Sequence, residues 1–421
     1  METFIKKNYN KFTLIVASIV IACTIGTSCS EVIPEPDSPD MPDNQTTEHT
    51  LLMYFPWSVN LTSFFTANIA DMELSISENG LDNQRVLVFF ASAPSEAVLF
   101  EIKRNNLGIV TRDTISEYPS HPYTTVEGLT KMIKDVKEVA PAKNYSLLIG
   151  AHGMAWIPVS RASNMVYSTD NMDNFTEHWN MEVDEKNPIR TRYFGGTSAT
   201  YQTDISTLVT ALEQTETHLQ YILFDDCFMS SIEVAYELRN CADYLIASVC
   251  EIMDYGMPYH KIGKYMLGNP NYEKIVSEFY DFYSTYTPMP CGTIGVTNLN
   301  EMDNMATIMK EINTTLQNTN TKTNIDNVQI FDGYSPTLFF DFGHYVETIC
   351  ANSQPNLYDR FHAQLERTVP YKLATQTFYT MSQRKRIEIN HYSGINTTEP
   401  SLNSQSVNHY KQTDWYNATH E

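Results

Sequence analysis

The chain predicts an α/β protein with a mostly parallel sheet covered by helices on both faces. Three observations point there. Short apolar runs recur with helical patterns between them, which is the alternation of strand and helix that builds a parallel sheet. The runs are bounded by polar residues, as suits strands buried on both faces. Residues able to do chemistry fall at the ends of these runs, where open α/β sheets place their sites.

The N-terminal stretch precedes this pattern. Lys6, Lys7 and Lys11 lead into an almost wholly apolar run over 12–25, the n-region and h-region of a secretory signal, too short to span a bilayer. Gly26-Thr27-Ser28-Cys29 resembles a bacterial lipoprotein signal, so residues 1–28 are expected to be removed and Cys29 acylated. Cys23 after Val20-Ile21-Ala22 is a second candidate, and an ordinary signal peptide is the alternative. Residues 29–50 hold Pro34, Pro36, Pro39 and Pro42 among acidic and polar residues and read as a flexible linker. The expected location is the bacterial cell envelope, lipid-anchored at the outer membrane or cell surface.

Charge narrows the partners. With 28 basic against 50 acidic residues the formal net charge is −22, and phosphate contacts need clusters of Lys and Arg, so nucleic acid is excluded as a partner. Of seven cysteines, Cys227, Cys241, Cys250, Cys291 and Cys350 remain after Cys23 and Cys29, without C-x-x-C spacing. Neither a zinc site nor a disulfide framework is legible, no cofactor is implied, and calcium dependence is left open.

Strands are expected over 51–55, 85–90, 97–104 (antiparallel or at an edge), 145–153 (ending at His152 and Gly153), 221–224, 243–248 and 292–296. Helices are expected over 61–76, ending near Gly80, and over 124–140, 204–213 and 302–316. Residues 160–200 are polar and aperiodic and read as an exposed insertion. The domain reading is therefore 51–300 for the sheet domain and 301–421 for a C-terminal subdomain.

The organising stretch is Tyr221-Ile222-Leu223-Phe224-Asp225-Asp226-Cys227 followed by a helix. Ser230 and Glu233 have the spacing of a capping box, which predicts a helix start at Ser230 with Ile232, Ala235 and Leu238 facing the core. Cys227 then sits between a strand end and a helix N-terminus, a place that favours a thiolate. A cysteine there is often only packing, but two adjacent aspartates are costly to bury without a task. His152 ends another apolar run, followed by Gly153. If the two strands are parallel neighbours, imidazole can serve as base for the thiol, with the Gly153 and Cys227 amides holding an oxyanion. Side chains alternate along a strand, so Asp225 shares a side with Cys227 and Asp226 points away. The charge of Asp226 is expected to raise the Cys227 pKa. Glu251 and Asp254 follow the next strand as further acids.

These residues carry a resemblance. Leu148-Ile149-Gly150-Ala151-His152-Gly153 with Trp156, and Phe224-Asp225-Asp226-Cys227-Phe228-Met229, resemble the two motifs of the clostripain family of cysteine peptidases, which have the caspase-like fold. Glu251-Ile252-Met253-Asp254-Tyr255-Gly256, His391-Tyr392-Ser393-Gly394 and Tyr410-Lys411-Gln412 extend the likeness, while Trp57-Ser58-Val59-Asn60 replaces an Asp-Asn-rich opening. The resemblance implies a His152–Cys227 dyad, cleavage after Arg or Lys, and Asp225 in the basic-residue pocket, with Asp254 a second acid there. Self-cleavage between the two motifs is implied too, and Arg190 and Arg192 are the candidate sites among the basic residues of the insertion. Partners are then protein or peptide substrates, and a membrane through the lipid anchor. The alternative is a non-catalytic surface binding protein on the same fold. His344 and His391 show no metal-ligand spacing.

Overall fold

A computed structural model describes residues 47–420 apart from 59, 120–121, 158, 160–193, 197–198, 288, 320–323, 351–354 and 400–406. The signal, Cys23, Cys29, almost all of the linker, most of the insertion, Arg190 and Arg192 lie outside the described residues. Among the described residues no helix is long and apolar enough to cross a membrane.

Leu219–Asp225 sits mid-sheet because nearly all its side chains are apolar, leaving no face for water. In chain order the large sheet is built from β1 Thr47–Phe55, β2 Gln84–Ala93, β3 Glu96–Arg104, β4 Val110–Pro119 and β5 Ala142–Gly150. The short strands β6 His152–Gly153, β7 Phe194–Gly195 and β8 Gln202–Thr203 form a small sheet of their own. Then come β9 Leu219–Asp225, β10 Ala242–Ala247 and β11 Thr293–Asn298, with β12 Phe339–Asp341 outside the large sheet and β13 Tyr371–Ala374 at its edge. A hairpin of β14 Thr377–Thr380 and β15 Lys385–Glu388 follows, and β16 Asn396–Thr398 pairs with β12. The order is β13-β11-β10-β9-β5-β1-β2-β3-β4, parallel from β10 to β2 and antiparallel on both flanks.

Alternation along the strands separates two cores. Leu51, Met53, Phe55, Tyr221 and Leu223 face helices α1 Thr62–Asn79, α5 Tyr259–Met266 and α6 Tyr272–Thr285. Leu52, Tyr54, Ile222 and Phe224 face α2 Val126–Val139, α3 Ile205–Gln214 and α4 Ile232–Leu238. On that second side α7 Met302–Thr319, α8 Phe342–Cys350, α9 Pro355–Thr368, α10 Val407–Tyr410 and α11 Asp414–His420 complete the layer. Each large apolar side chain so buried contributes about 1.5–3 kcal/mol. Residues after 301, expected as a subdomain, thus cover one face and also lend β13 to the sheet.

Two local readings are corrected, and the alternatives for a third are resolved. The first strand starts at Thr47, inside the stretch read as linker, because His49 and Thr50 are buried and hydrogen-bonded to Ser146 and to the Ala140 carbonyl. Strand β3 is antiparallel but not an edge: β4, too polar to announce itself, covers it. The helix after Cys227 is capped by Ser231 rather than Ser230. Ser230 Oγ donates instead to the Gly394 carbonyl at 2.7 Å, and the buried Glu233 carboxylate accepts from Thr397 Oγ1 and the Thr398 amide, so no capping box forms. The core-facing residues Ile232, Ala235 and Leu238 are buried as expected.

Candidate active site

Parallel pairing of β5 with β9 brings Gly150 opposite Asp225, so Ala151-His152-Gly153 and Asp226-Cys227 leave the sheet at one rim. The two segments touch: a Cβ placed on Gly153 would lie 2.4 Å from the Cys227 carbonyl oxygen and 2.8 Å from the Asp226 Cβ. Only glycine permits this approach. Gly153 and His152 are also paired to Phe194 and Gly195 of β7, which steadies the segment after β5.

His152 is buried and reaches a third residue. Its Nε2 is 2.8 Å from Asn60 Oδ1, an acceptor, so Nε2 carries the proton and Nδ1 holds the ring lone pair. Burial lowers its pKa to about 4, leaving the ring neutral near pH 7. Asn60 was not singled out by sequence reasoning. The signal available was its place just past β1, the strand that pairs with β5 on the other side from β9.

Cys227 is buried, and its surroundings do not favour a thiolate. Burial pushes the thiol well above its ordinary value, Glu251 adds to this, the Ile252 amide opposes it, and Asp226 and Cys250 contribute further upward. The expectation of a helix N-terminus lowering the thiol pKa is therefore corrected: α4 is short and begins only at Ile232, and burial, with Glu251 nearby, raises it instead. The chain turns sharply after Cys227. Phe228 has φ +63°, its ring stacks on Phe339 at 4.8 Å, and its amide donates to the Cys250 carbonyl at 3.1 Å. Asn396 of β16 donates from Nδ2 to the Val249 carbonyl at 2.8 Å, and its amide reaches the Ser230 carbonyl at 2.8 Å, so the C-terminal segment braces this turn.

The two aspartates diverge, as alternation requires. Asp226 Oδ1 accepts the Ala151 amide at 2.5 Å, and burial, with the charge of Asp225 beside it, raises its pKa well above the ordinary value, against the pull of that amide. Asp225 accepts from Tyr259 OH at 2.7 Å and from the Met257 amide at 3.1 Å, both through Oδ2. Burial pushes it up to about 6, against the pull of those two donors, so near pH 7 it is largely ionised. Gly256, at φ +74°, leaves room for this carboxylate: a Cβ there would lie 2.5 Å from Oδ2.

Asp225, Cys227 and Asp254 line one small cleft, together with Leu61, Phe65, Asn68, Ala151, Ile252, Met253 and Gly256. Asp254 is exposed. Glu251 turns away from the cleft to accept the Met381 amide at 2.7 Å from the hairpin, and burial raises its pKa to about 8. Elsewhere His344, Glu347 and His391 come within 4.8 Å of one another, a grouping that sequence spacing did not reveal. His344 Nδ1 accepts the Gln329 amide at 3.0 Å, which puts the ring proton on Nε2, the atom a metal would need.

The sequence model of the clostripain family matches residues 175–413. A secreted C11 cysteine protease from Bacteroides thetaiotaomicron, iotapain, is 44% identical and superposes with a TM-score of 0.76, over 90% of this chain and 100% of its own. An inactive zymogen C11 protease from Parabacteroides distasonis is 25% identical, with a TM-score of 0.69 over 90% of this chain and 99% of its own. Another secreted C11 cysteine protease from B. thetaiotaomicron, in complex with an irreversible peptide inhibitor, shares the fold: 22% identity, TM-score 0.72, 88% of this chain and 98% of that one. None of the curated proteins matches.

The nine-stranded sheet with its two helical layers is the caspase-like fold of these enzymes, and the protein is a cysteine peptidase, a hydrolase. The chain belongs to the clostripain family.

Proposed function

We propose that the chain is an endopeptidase that cuts after Arg or Lys with His152 and Cys227 as its dyad. The observation that carries this reading is the Gly150–Asp225 register, from which both residues leave neighbouring strands at one rim. As Cys227 Sγ attacks the scissile carbonyl carbon, its proton passes to His152 Nδ1. The Gly153 amide, with that of Cys227, stabilises the resulting oxyanion. His152 then gives the proton to the leaving amine, and water, deprotonated by the same ring, releases the acyl group and restores the thiol. A neutral imidazole and a protonated thiol suit this sequence, because the ring begins able to accept. Asn60 keeps the ring proton on Nε2 throughout.

An ionised Asp225 in the same cleft as Cys227 supports the basic-residue preference, with Asp254 as the second acid. Export and anchoring through Cys29 rest on the signal-like N-terminus, and self-cleavage near Arg190 or Arg192 on their place between the two motifs. A mass spectrum of the mature N-terminus checks the anchor, and a chain that remains one band on a denaturing gel after prolonged incubation refutes the self-cleavage. The deciding assay is hydrolysis of short Arg- and Lys-ending reporter amides by wild type, Cys227→Ala and Asp225→Ala. Activity surviving in the cysteine variant removes the dyad, and an unchanged preference in the aspartate variant removes Asp225 from the pocket.

A further inference from the structure

Asp225, which lines the cleft, has a single oxygen left without a hydrogen bond. Tyr259 OH and the Met257 amide occupy both lone pairs of Oδ2, whereas Oδ1 is buried without a hydrogen-bond partner among the described residues. Asn68 on α1, also lining the cleft, donates one Nδ2 hydrogen to the Tyr255 carbonyl at 2.8 Å and has its amide oxygen as an acceptor. Asp254 supplies a carboxylate from the exposed side. Leu61, Phe65, Ile252 and Met253 provide apolar surface for a methylene stem.

We propose that this cleft selects Lys over Arg before the scissile bond, with Tyr259 setting the preference by filling Asp225 Oδ2. The inference rests on the preceding reading of the cleft as the pocket for a basic side chain. An ammonium is a compact charge with three donors, and three separate acceptors from three elements suit it: Asp225 Oδ1, the Asn68 oxygen and Asp254. A guanidinium draws its strength from a parallel pair of bonds to both oxygens of one carboxylate. Here the second oxygen is taken, so Arg makes one bond to Asp225 and buries further N–H groups without partners, which is costly. Tyr259 acts through Asp225 and is a positioning residue.

The test compares kcat/KM for peptide amides differing only in Lys or Arg before the cut, using the full chain. Wild type is expected to favour Lys by roughly tenfold, the scale of one unmade hydrogen bond in a closed site. Tyr259→Phe keeps the ring, frees a lone pair on Oδ2 and is expected to shrink that ratio severalfold. An Arg preference in wild type overturns the proposal, as does an equal fall for both substrates in the variant. Should Tyr259→Phe fail to fold, Asn68→Ala serves: the Lys substrate must lose more than the Arg substrate. Calorimetric binding of peptides ending in Lys or Arg to Cys227→Ala reads the pocket apart from the chemistry. Tighter Lys binding upholds the inference even if wild type cuts neither substrate, a result that would count against the proposed activity alone, and equal or tighter Arg binding refutes it.

Discussion

Gly150 and Asp225 are the last register pair between β5 and β9, and His152 and Cys227 follow each by the same number of residues. Equal overhang on adjacent parallel strands is what places an imidazole-bearing and a thiol-bearing segment side by side. Replacing Cys227 by Ala is expected to lower kcat by at least about a thousandfold, and His152→Ala by a similar factor, without loss of secondary structure. Steady-state kinetics with circular dichroism checks both; substantial turnover in either variant would displace that residue from the mechanism.

Asn60 holds Nε2 of His152, so its loss frees the ring to turn and to shift its proton. Asn60→Ala should reduce kcat by roughly ten- to a hundredfold while KM changes little, because substrate contacts are elsewhere. A variant with wild-type kcat would mean that the ring needs no such anchor.

The thiol stands well above its ordinary pKa and His152 is neutral, so the resting enzyme is not an imidazolium–thiolate pair. Alkylation of Cys227 by neutral iodoacetamide should therefore accelerate continuously between about pH 5 and pH 9, following the thiolate fraction. A rate already flat from pH 5 to pH 8 would show a preformed thiolate.

Glu251 titrates at about 8 in the folded chain against an ordinary 4.5. Below 4.5 both states hold the proton and it has no effect. Between the two values the folded state keeps a proton that the unfolded state has released, so stability falls as pH rises, and above 8 the loss is complete. Glu251→Gln lacks this term, so urea denaturation should show the variant gaining on wild type between pH 5 and pH 8. The opposite trend would mean that Glu251 is ionised in the fold.

Gly153→Ala brings a methyl against the Cys227 carbonyl, which is backbone and cannot swing aside. The turn must shift, with a destabilisation of about 1–3 kcal/mol and a larger loss in kcat than stability alone explains. Wild-type melting and turnover would contradict the close approach.

Some of this was legible because it depends on neighbours in sequence. The apolar runs at 51–55 and 221–224 and the amphipathic stretch before Ala140 became strands and a helix where periodicity placed them, whereas the strand expected over 145–153 ends at Gly150 and His152–Gly153 pairs in a separate small sheet. Asp225 and Asp226 separated as strand alternation demands, since the rule is local. Strand β4 was missed because its polar, exposed residues give little apolar alternation, and its pairing with β3 is what makes it a strand. Glu233 was misread because the S-x-x-E spacing is only an opportunity; Thr397 and Thr398, far along the chain, offered that carboxylate other donors.

The sequence by itself determined the α/β class, the family, and which strand ends bear the histidine and the cysteine, since hydrophobic period and motif are written in consecutive residues. Tertiary structure alone decided that β5 and β9 are neighbours, that Asn60 reaches the imidazole, that burial raises the thiol pKa, and that Tyr259 fills one oxygen of Asp225. Strand order, burial and hydrogen-bond partners arise from contacts between distant segments, and only the folded chain supplies those contacts.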